Sequence, residues 1–338
     1  MPRKTLRDIL SRVFHLDTPI FLEVAMKRHS LLVGVIVLTL GATLLDAQGR
    51  GRGQGAGQGQ AVNNNNSGMP WEALRAAVMI PWEGVPFTAQ KTEPFKVFDN
   101  ISYVGVETVG SYVINTSGGL ILIDSTYAET ADHVLDGVRK LGFDPSNIKY
   151  MLITHQHNDH FGGAARIKQQ VPGARVGASL EDWDAIEKGT MIARDLVITD
   201  GDTLKLGDTT LKFYVLPGHT VGNLATEIQA RGNGKSYRTL VGLAFAPAPG
   251  MTAASITSTE RLEQLGPWDA LLTSHSYLAP VAIPLTAQQI LLSGAPDATR
   301  KPTGHPAAVG PERINAYFDQ ILKATRDRLA REQARPPQ

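Results

Sequence analysis

The chain has 338 residues, 33 Lys and Arg against 32 Asp and Glu, and 42% apolar residues. That is enough for one large α/β domain with a sizeable core, and the near-balanced charge leaves no basic field to attract nucleic acid. Cysteine is absent altogether, which excludes disulfides and thiolate metal ligands.

The N-terminus reads as a targeting segment. Met26-Lys27-Arg28-His29 is a basic start, Leu31 to Leu45 is an apolar stretch of 15 residues broken only by Gly, Ala and Thr, and Asp46-Ala47-Gln48 offers a small residue for cleavage. Residues 1–48 are therefore expected to be a signal peptide, with Met26 as an alternative start. The mature chain is expected in the periplasm with no stable membrane contact once processed. The apolar run falls short of the roughly 20 residues that cross a bilayer, so an uncleaved anchor is the competing reading. Without these 48 residues the balance is 27 basic against 28 acidic. Residues 49–68, from Gly49-Arg50-Gly51 through Asn63-Asn64-Asn65-Asn66-Ser67-Gly68, are low in complexity, cannot bury apolar area and read as a linker. The folded domain is expected over 69–332. Its early aromatics, Trp71, Trp82 and Phe87, read as packing onto the core, with a cleft-flanking role as the alternative.

Strands are expected near 95–99, 101–106, 111–116 and 119–123, then a helix over Thr130 to Lys140 with Val134, Leu135 and Val138 on its apolar face. A strand at 149–153, a helix at 163–170, a short strand at 176–178 and a helix from Leu180 to Lys188 follow. Strands near 203–206, 209–216, 224–230 and 237–242 make a β-rich second half. Leu262 is helical in character, a strand lies at 270–273, and a last helix runs from Pro311 to Arg331. It carries Ile314, Tyr317, Phe318, Ile321 and Leu322 on one face.

The run Thr154-His155-Gln156-His157-Asn158-Asp159-His160-Phe161-Gly162-Gly163 carries the chemistry. Three imidazoles and a carboxylate fall within six residues, on a loop at the carboxyl end of an apolar strand, where α/β proteins place their sites. Neutral imidazole and carboxylate suit zinc. A solvated His-rich loop is the plain alternative, and this spacing outweighs it. His219 in Pro217-Gly218-His219-Thr220 and His275 in Thr273-Ser274-His275-Ser276 also follow strands. Five of the nine histidines thus fall in three strand-end loops. There is no G-x-S-x-G, no P-loop, and no dinucleotide-binding fingerprint.

These motifs resemble the metallo-β-lactamase superfamily, whose loops read His-x-His-x-Asp-His, Gly-His-Thr and a late Ser-His. They are most similar to its third subclass, which uses His and Asp ligands and no Cys. The resemblance runs from about Phe95 to about Ala330. It implies an α/β fold of the four-layer αβ/βα sandwich type, with the metals between two sheets. It implies two Zn²⁺ per chain: His155, His157 and His219 would hold the first, and Asp159, His160 and His275 the second, all six being catalytic. Asp124 would orient the first loop histidine, His155. The implied activity is that of a secreted zinc-dependent hydrolase, foremost a β-lactamase that opens the lactam amide by attack of a zinc-bound hydroxide. The alternative is a lactonase or other ester or thioester hydrolase of the same fold. A non-catalytic metal-binding module is disfavoured by the intact six-ligand set. The partner implied is a small-molecule substrate, and the chain is expected to be a monomer. One departure stands out: Leu243 and Phe245 occupy the positions of hydroxyl residues that help bind a lactam carboxylate, which implies an apolar wall there.

Overall fold

The computed structural model describes residues 86–275, 305 and 307–334. The expected signal peptide and linker, Trp71, Trp82 and Ser276 lie outside the described residues. Phe87 lies within them and stacks on Tyr127, with ring centroids 3.9 Å apart.

One sheet has seven strands in chain order: β1 Phe95–Phe98, β2 Ile101–Tyr103, β3 Tyr112–Thr116, β4 Gly119–Ile123, β5 Ile148–Leu152, β6 Arg175–Ser179 and β7 Leu196–Ile198. β1 to β4 pair antiparallel and β4 to β7 parallel. Parallel neighbours need crossovers, which α1 (Ala131–Lys140), α3 (Ala164–Gln170) and α4 (Trp183–Thr190) supply, with the single-turn α2 (Asn158–Phe161) just after β5. The other sheet has the order β12-β11-β10-β9-β8, from β8 Thr203–Leu206, β9 Thr209–Val215, β10 Leu224–Gly232, β11 Lys235–Leu243 and β12 Ala270–Thr273. Helix α5 (Thr252–Leu265) joins β11 to its parallel neighbour β12, and α6 (Pro311–Gln333) follows. Among the described residues no helix is long and apolar enough to cross a membrane.

Strand β4 shows why the sequence folds this way. Ile121 and Ile123 point into the core between the sheets, while Leu120 and Leu122 point to the opposite face, under the helices. A strand buried on both faces must be apolar throughout, and each such side chain contributes about 1.5–3 kcal/mol by leaving water. Phe98, Ile114, Phe213, Ile228 and Leu272 fill the space between the sheets. Val134, Leu135, Val138, Ile167 and Trp183 from α1, α3 and α4 cover the outer face of the first sheet. Leu262 of α5 and Ile314, Phe318 and Ile321 of α6 cover the second, around Trp268. The layers are helix, sheet, sheet, helix: a four-layer αβ/βα sandwich.

Three elements differ from expectation. β2 ends at Tyr103, because residues 104–111 leave the sheet and dock on the β12 end, where Gly110 N donates to Ser274 O. β7 is only three residues long and too short to show a period. The periodicity of α5 is hidden by Thr252, Ser255, Thr257, Ser258 and Thr259; the Thr259 hydroxyl satisfies itself on Ser255 O one turn back.

The apolar wall expected at Leu243 and Phe245 does not form. β11 pairs with β12 as Val241↔Leu272 and then Leu243↔Thr273, which leaves Gly242 as an extra residue at φ 86°. Such a bulge breaks the two-residue alternation. Val241 faces the core between the sheets, but Leu243, two residues on, faces the helices together with Leu240. Leu243 and Phe245 are both buried beside Leu262, Trp268 and Phe318. Leu243→Ser is therefore expected to lower the free energy of unfolding by about 2–5 kcal/mol, and not to improve substrate affinity. Urea denaturation checks it; an unchanged midpoint would remove Leu243 from the core.

Candidate metal centre

Strands β4 and β5 run parallel, so their carboxyl ends share one edge of the first sheet. The loops after β5, β9 and β12 bring five histidines and one aspartate together there. The donors form two groups, His155, His157 and His219, and Asp159, His160 and His275; within each, the ligand atoms lie within 4.8 Å of one another. The rings of the first group are mutually near perpendicular with centroids 4.6 to 4.7 Å apart, which turns three edges towards one point. His155, His160 and His275 are buried, Asp159 and His219 half-buried, and His157 exposed.

Three rings are fixed through Nδ1. His160 Nδ1 donates to Asp124 Oδ2 at 2.8 Å, His219 Nδ1 to Ala246 O at 2.7 Å and His275 Nδ1 to Thr108 O at 2.8 Å. A neutral imidazole that donates from Nδ1 offers a lone pair at Nε2. His155 Nε2 and His219 Nε2 are buried with no hydrogen-bond partner. His160 Nε2 and His275 Nε2 face each other at 3.2 Å, with Asp159 Oδ2 at 3.3 Å and 3.6 Å from them. Two lone pairs so close need a cation between them, either a proton or a metal ion. In the metal-free chain it is a proton. Burial pulls His160 down, but the Asp159 and Asp124 carboxylates outweigh it and lift its pKa to about 10. Burial raises Asp159, yet the His160 charge holds its carboxyl well below the usual carboxylate range.

The other four imidazoles are neutral at pH 7. Burial, helped by the neighbouring rings, pushes His155 well below the ordinary histidine value. It pushes His219 down to about 4 and His275 to about 3, and it lowers His157 as well. Neutral imidazole is the form that binds metal. Four such nitrogens, the His160 imidazole once it gives up its proton, one carboxylate and no thiolate make a donor set suited to zinc, and the orphaned Nε2 atoms are what such an ion would satisfy.

Asp124 corrects one expectation. It was expected to orient His155, but its carboxylate accepts from His160 Nδ1, and from Thr154 N and Thr154 Oγ1 at 2.8 Å each. It reaches His155 only through the Thr154 hydroxyl, 3.0 Å from His155 Nδ1. The reason is tertiary. Asp124 sits at φ 59° just past β4, and the single turn of α2 folds His160 back over it. Thr126, two residues on, is also left-handed at φ 57°, an uncommon conformation for a β-branched residue.

A further buried carboxylate, Asp182, lies against the same loops and was not anticipated. Nothing in Leu180-Glu181-Asp182-Trp183 separates it from an ordinary helix start. Burial raises its pKa against the hydrogen bonds from Thr220, Gln156 and Gly222. The remaining histidines stand apart: His133 Nε2 lies 3.1 Å from Gly105 O, and His305 stacks on Phe98. His15 and His29 lie outside the described residues. Ser274 is buried, and its backbone N donates to Leu243 O, as befits a turn residue.

Residues 104–232 match the family model of the metallo-beta-lactamase superfamily. The metallo-β-lactamase of Legionella gormanii superposes with a TM-score of 0.61 at 27% identity, covering 72% of this chain and 97% of that one. A subclass B3 metallo-β-lactamase of Bradyrhizobium japonicum superposes with a TM-score of 0.59 at 26% identity, covering 74% and 99%. Among curated relatives, a hydroxyacylglutathione hydrolase of Synechococcus sp. is 31% identical over 134 residues, 38% of this chain and 50% of the relative. One of Pseudomonas syringae is 36% identical over 75 residues, 22% and 26%. The chain thus spans between a quarter and a half of the length of these curated relatives. With its four-layer sandwich and its loop order, this chain carries a domain that matches the metallo-β-lactamase superfamily over residues 104–232, and its fold resembles that of the subclass B3 enzymes.

Proposed function

We propose that the chain is a two-zinc hydrolase that opens the amide of a β-lactam ring. The observation that carries the metal reading is the set of Nε2 atoms in the centre. Two are buried without a partner and two face each other at 3.2 Å, while three of the four rings are already fixed through Nδ1. The lactam substrate is supported by the extent of the likeness to the B3 enzymes, which covers nearly their whole length, whereas the curated hydroxyacylglutathione hydrolases are matched over half their length or less. Those relatives, by their names, favour a second reading, a thioester or ester substrate at the same centre.

When bound, a zinc pair supplies Lewis-acid polarisation of a carbonyl and water deprotonated near neutral pH. The chain's own residues do the rest. His155, His157 and His219 would hold one ion, and Asp159, His160 and His275 the other. Asp124, Thr108 O and Ala246 O keep the proton on Nδ1 of His160, His275 and His219, so that Nε2 stays free to ligate. Asp159 is the only anionic donor, so the set neutralises little of a cation pair's charge and leaves it for an anionic substrate. Among the described residues His157 is the exposed donor, with Asp159 and His219 half-buried, and a substrate would enter from its side.

The expected result is two zinc ions per chain by elemental analysis, and turnover of penicillins, cephalosporins or carbapenems that a chelator abolishes and zinc restores. Turnover of lactones or thioesters alone would replace the first reading with the second. Full activity in a metal-free preparation would refute both.

A further inference from the structure

We infer that Asp182 is a positioning residue that holds the two loops of the three-histidine group in register. Asp182 stands at the N-cap of α4, where an aspartate ordinarily accepts from the first backbone amides of the helix, yet its side chain makes no capping bond. It is turned to the metal loops instead. Oδ2 accepts from Gln156 N at 2.9 Å and from Thr220 Oγ1 at 2.7 Å, and Oδ1 accepts from Gly222 N at 2.9 Å. Gln156 lies between His155 and His157, and Thr220 follows His219. One carboxylate therefore ties together the two segments that carry all three donors of that group, though they are more than 60 residues apart in sequence.

The contact is built. Asp182 is wholly buried, and among the described residues no Lys or Arg pairs with it, so its charge rests on these three donors, a placement that is costly without them. A Cβ at Gly222 would run into Ser179 Oγ and the Asp182 carboxyl; glycine there is what lets the His219 loop close onto the aspartate. The other group is held separately, His160 by Asp124 and His275 by Thr108 O. Loss of Asp182 should thus act on one donor group and spare the other, which a general structural contact would not do.

The inference rests on the two-metal reading above, and its test separates the two. Asp182→Asn keeps the shape and removes the charge. It is placed in two backgrounds: His275→Ala, which leaves only the three-histidine group complete, and His157→Ala, which leaves only the Asp159, His160 and His275 group. Zinc affinity of each metal-free protein is measured against a chromogenic chelator, with circular dichroism and the urea midpoint as checks of the fold. Asp182→Asn is expected to weaken zinc binding about 10–100-fold in the first background and to leave the second unchanged. Thr220→Val, which removes one of the three contacts, is expected to shift the same group in the same direction by less, and decides the matter if Asp182→Asn does not fold. Equal weakening in both backgrounds, or none in the first, overturns the inference. A parent protein that binds no zinc in either background overturns the two-metal reading itself, and this inference with it.

Discussion

Replacing His157 with alanine is expected to lower kcat of the zinc-loaded protein by roughly 10³-fold or more, while the urea midpoint of the metal-free chain stays where it is. The ring is exposed. It touches the His155 and His219 rings edge to face and makes no side-chain hydrogen bond to another described residue. What His157 gives the fold is its backbone carbonyl, which accepts from His160 N and Phe161 N and survives in alanine. What it would give the proposed centre is one donor of three. Lewis-acid stabilisation of a transition state is worth several kcal/mol and each 1.4 kcal/mol is about a tenfold change in rate, so losing the ion that His157 helps to hold costs about three decades. Steady-state kinetics with the zinc content of the same sample reads both quantities. A variant with two zinc ions and wild-type kcat would remove His157 from the centre.

Asp124→Asn is expected to act on stability and metal together. The carboxylate is buried and accepts three hydrogen bonds, from His160 Nδ1, Thr154 N and Thr154 Oγ1. Asparagine offers one oxygen for these and sets an NH₂ against the donors that remain. Removing one partner of a buried charged pair costs about 3–5 kcal/mol. Without its acceptor at Nδ1, the His160 ring is free to carry its proton on Nε2, where the lone pair is needed, and zinc held by Asp159, His160 and His275 is expected to bind about 10–100-fold more weakly. Asparagine is the informative substitution because it tolerates the left-handed backbone at φ 59° nearly as well as aspartate does. Alanine there would add strain and blur the result. Urea denaturation of the metal-free chain and chelator competition read the two effects. An unchanged midpoint with unchanged zinc affinity would strip Asp124 of its role.

The two replacements also mark where sequence and tertiary structure divide. The six candidate donors that the fold gathers were legible in two ways: a short loop of alternating His and Asp after an apolar strand marked four of them, and the family resemblance singled out the two further histidines at strand ends. The strands were legible because burial on both faces forces runs such as Leu120-Ile121-Leu122-Ile123, and α1 and α6 because their apolar residues recur at helical spacing. Local pattern could not say which carboxylate meets which ring. Asp124 meets His160, 36 residues away, instead of His155, 31 away, because pairing of β4 with β5 and one turn of α2 set the approach of the two side chains, and neither leaves a trace in residue spacing. Asp182 looked like any helix start, since its partners come from loops that only the assembled sheets bring to it. Leu243 looked like a wall of the site because strict alternation puts it on the same face as Val241. A single extra residue, Gly242 at φ 86°, turns it towards the helices. By itself the sequence determined the candidate donor residues and the apolar strands and helices around them, set by side-chain chemistry and periodicity within each short segment. The hydrogen bonds that fix each ring, and the face that each side chain takes after a bulge, were decided only by the tertiary structure, since they depend on strand register and backbone handedness across long separations.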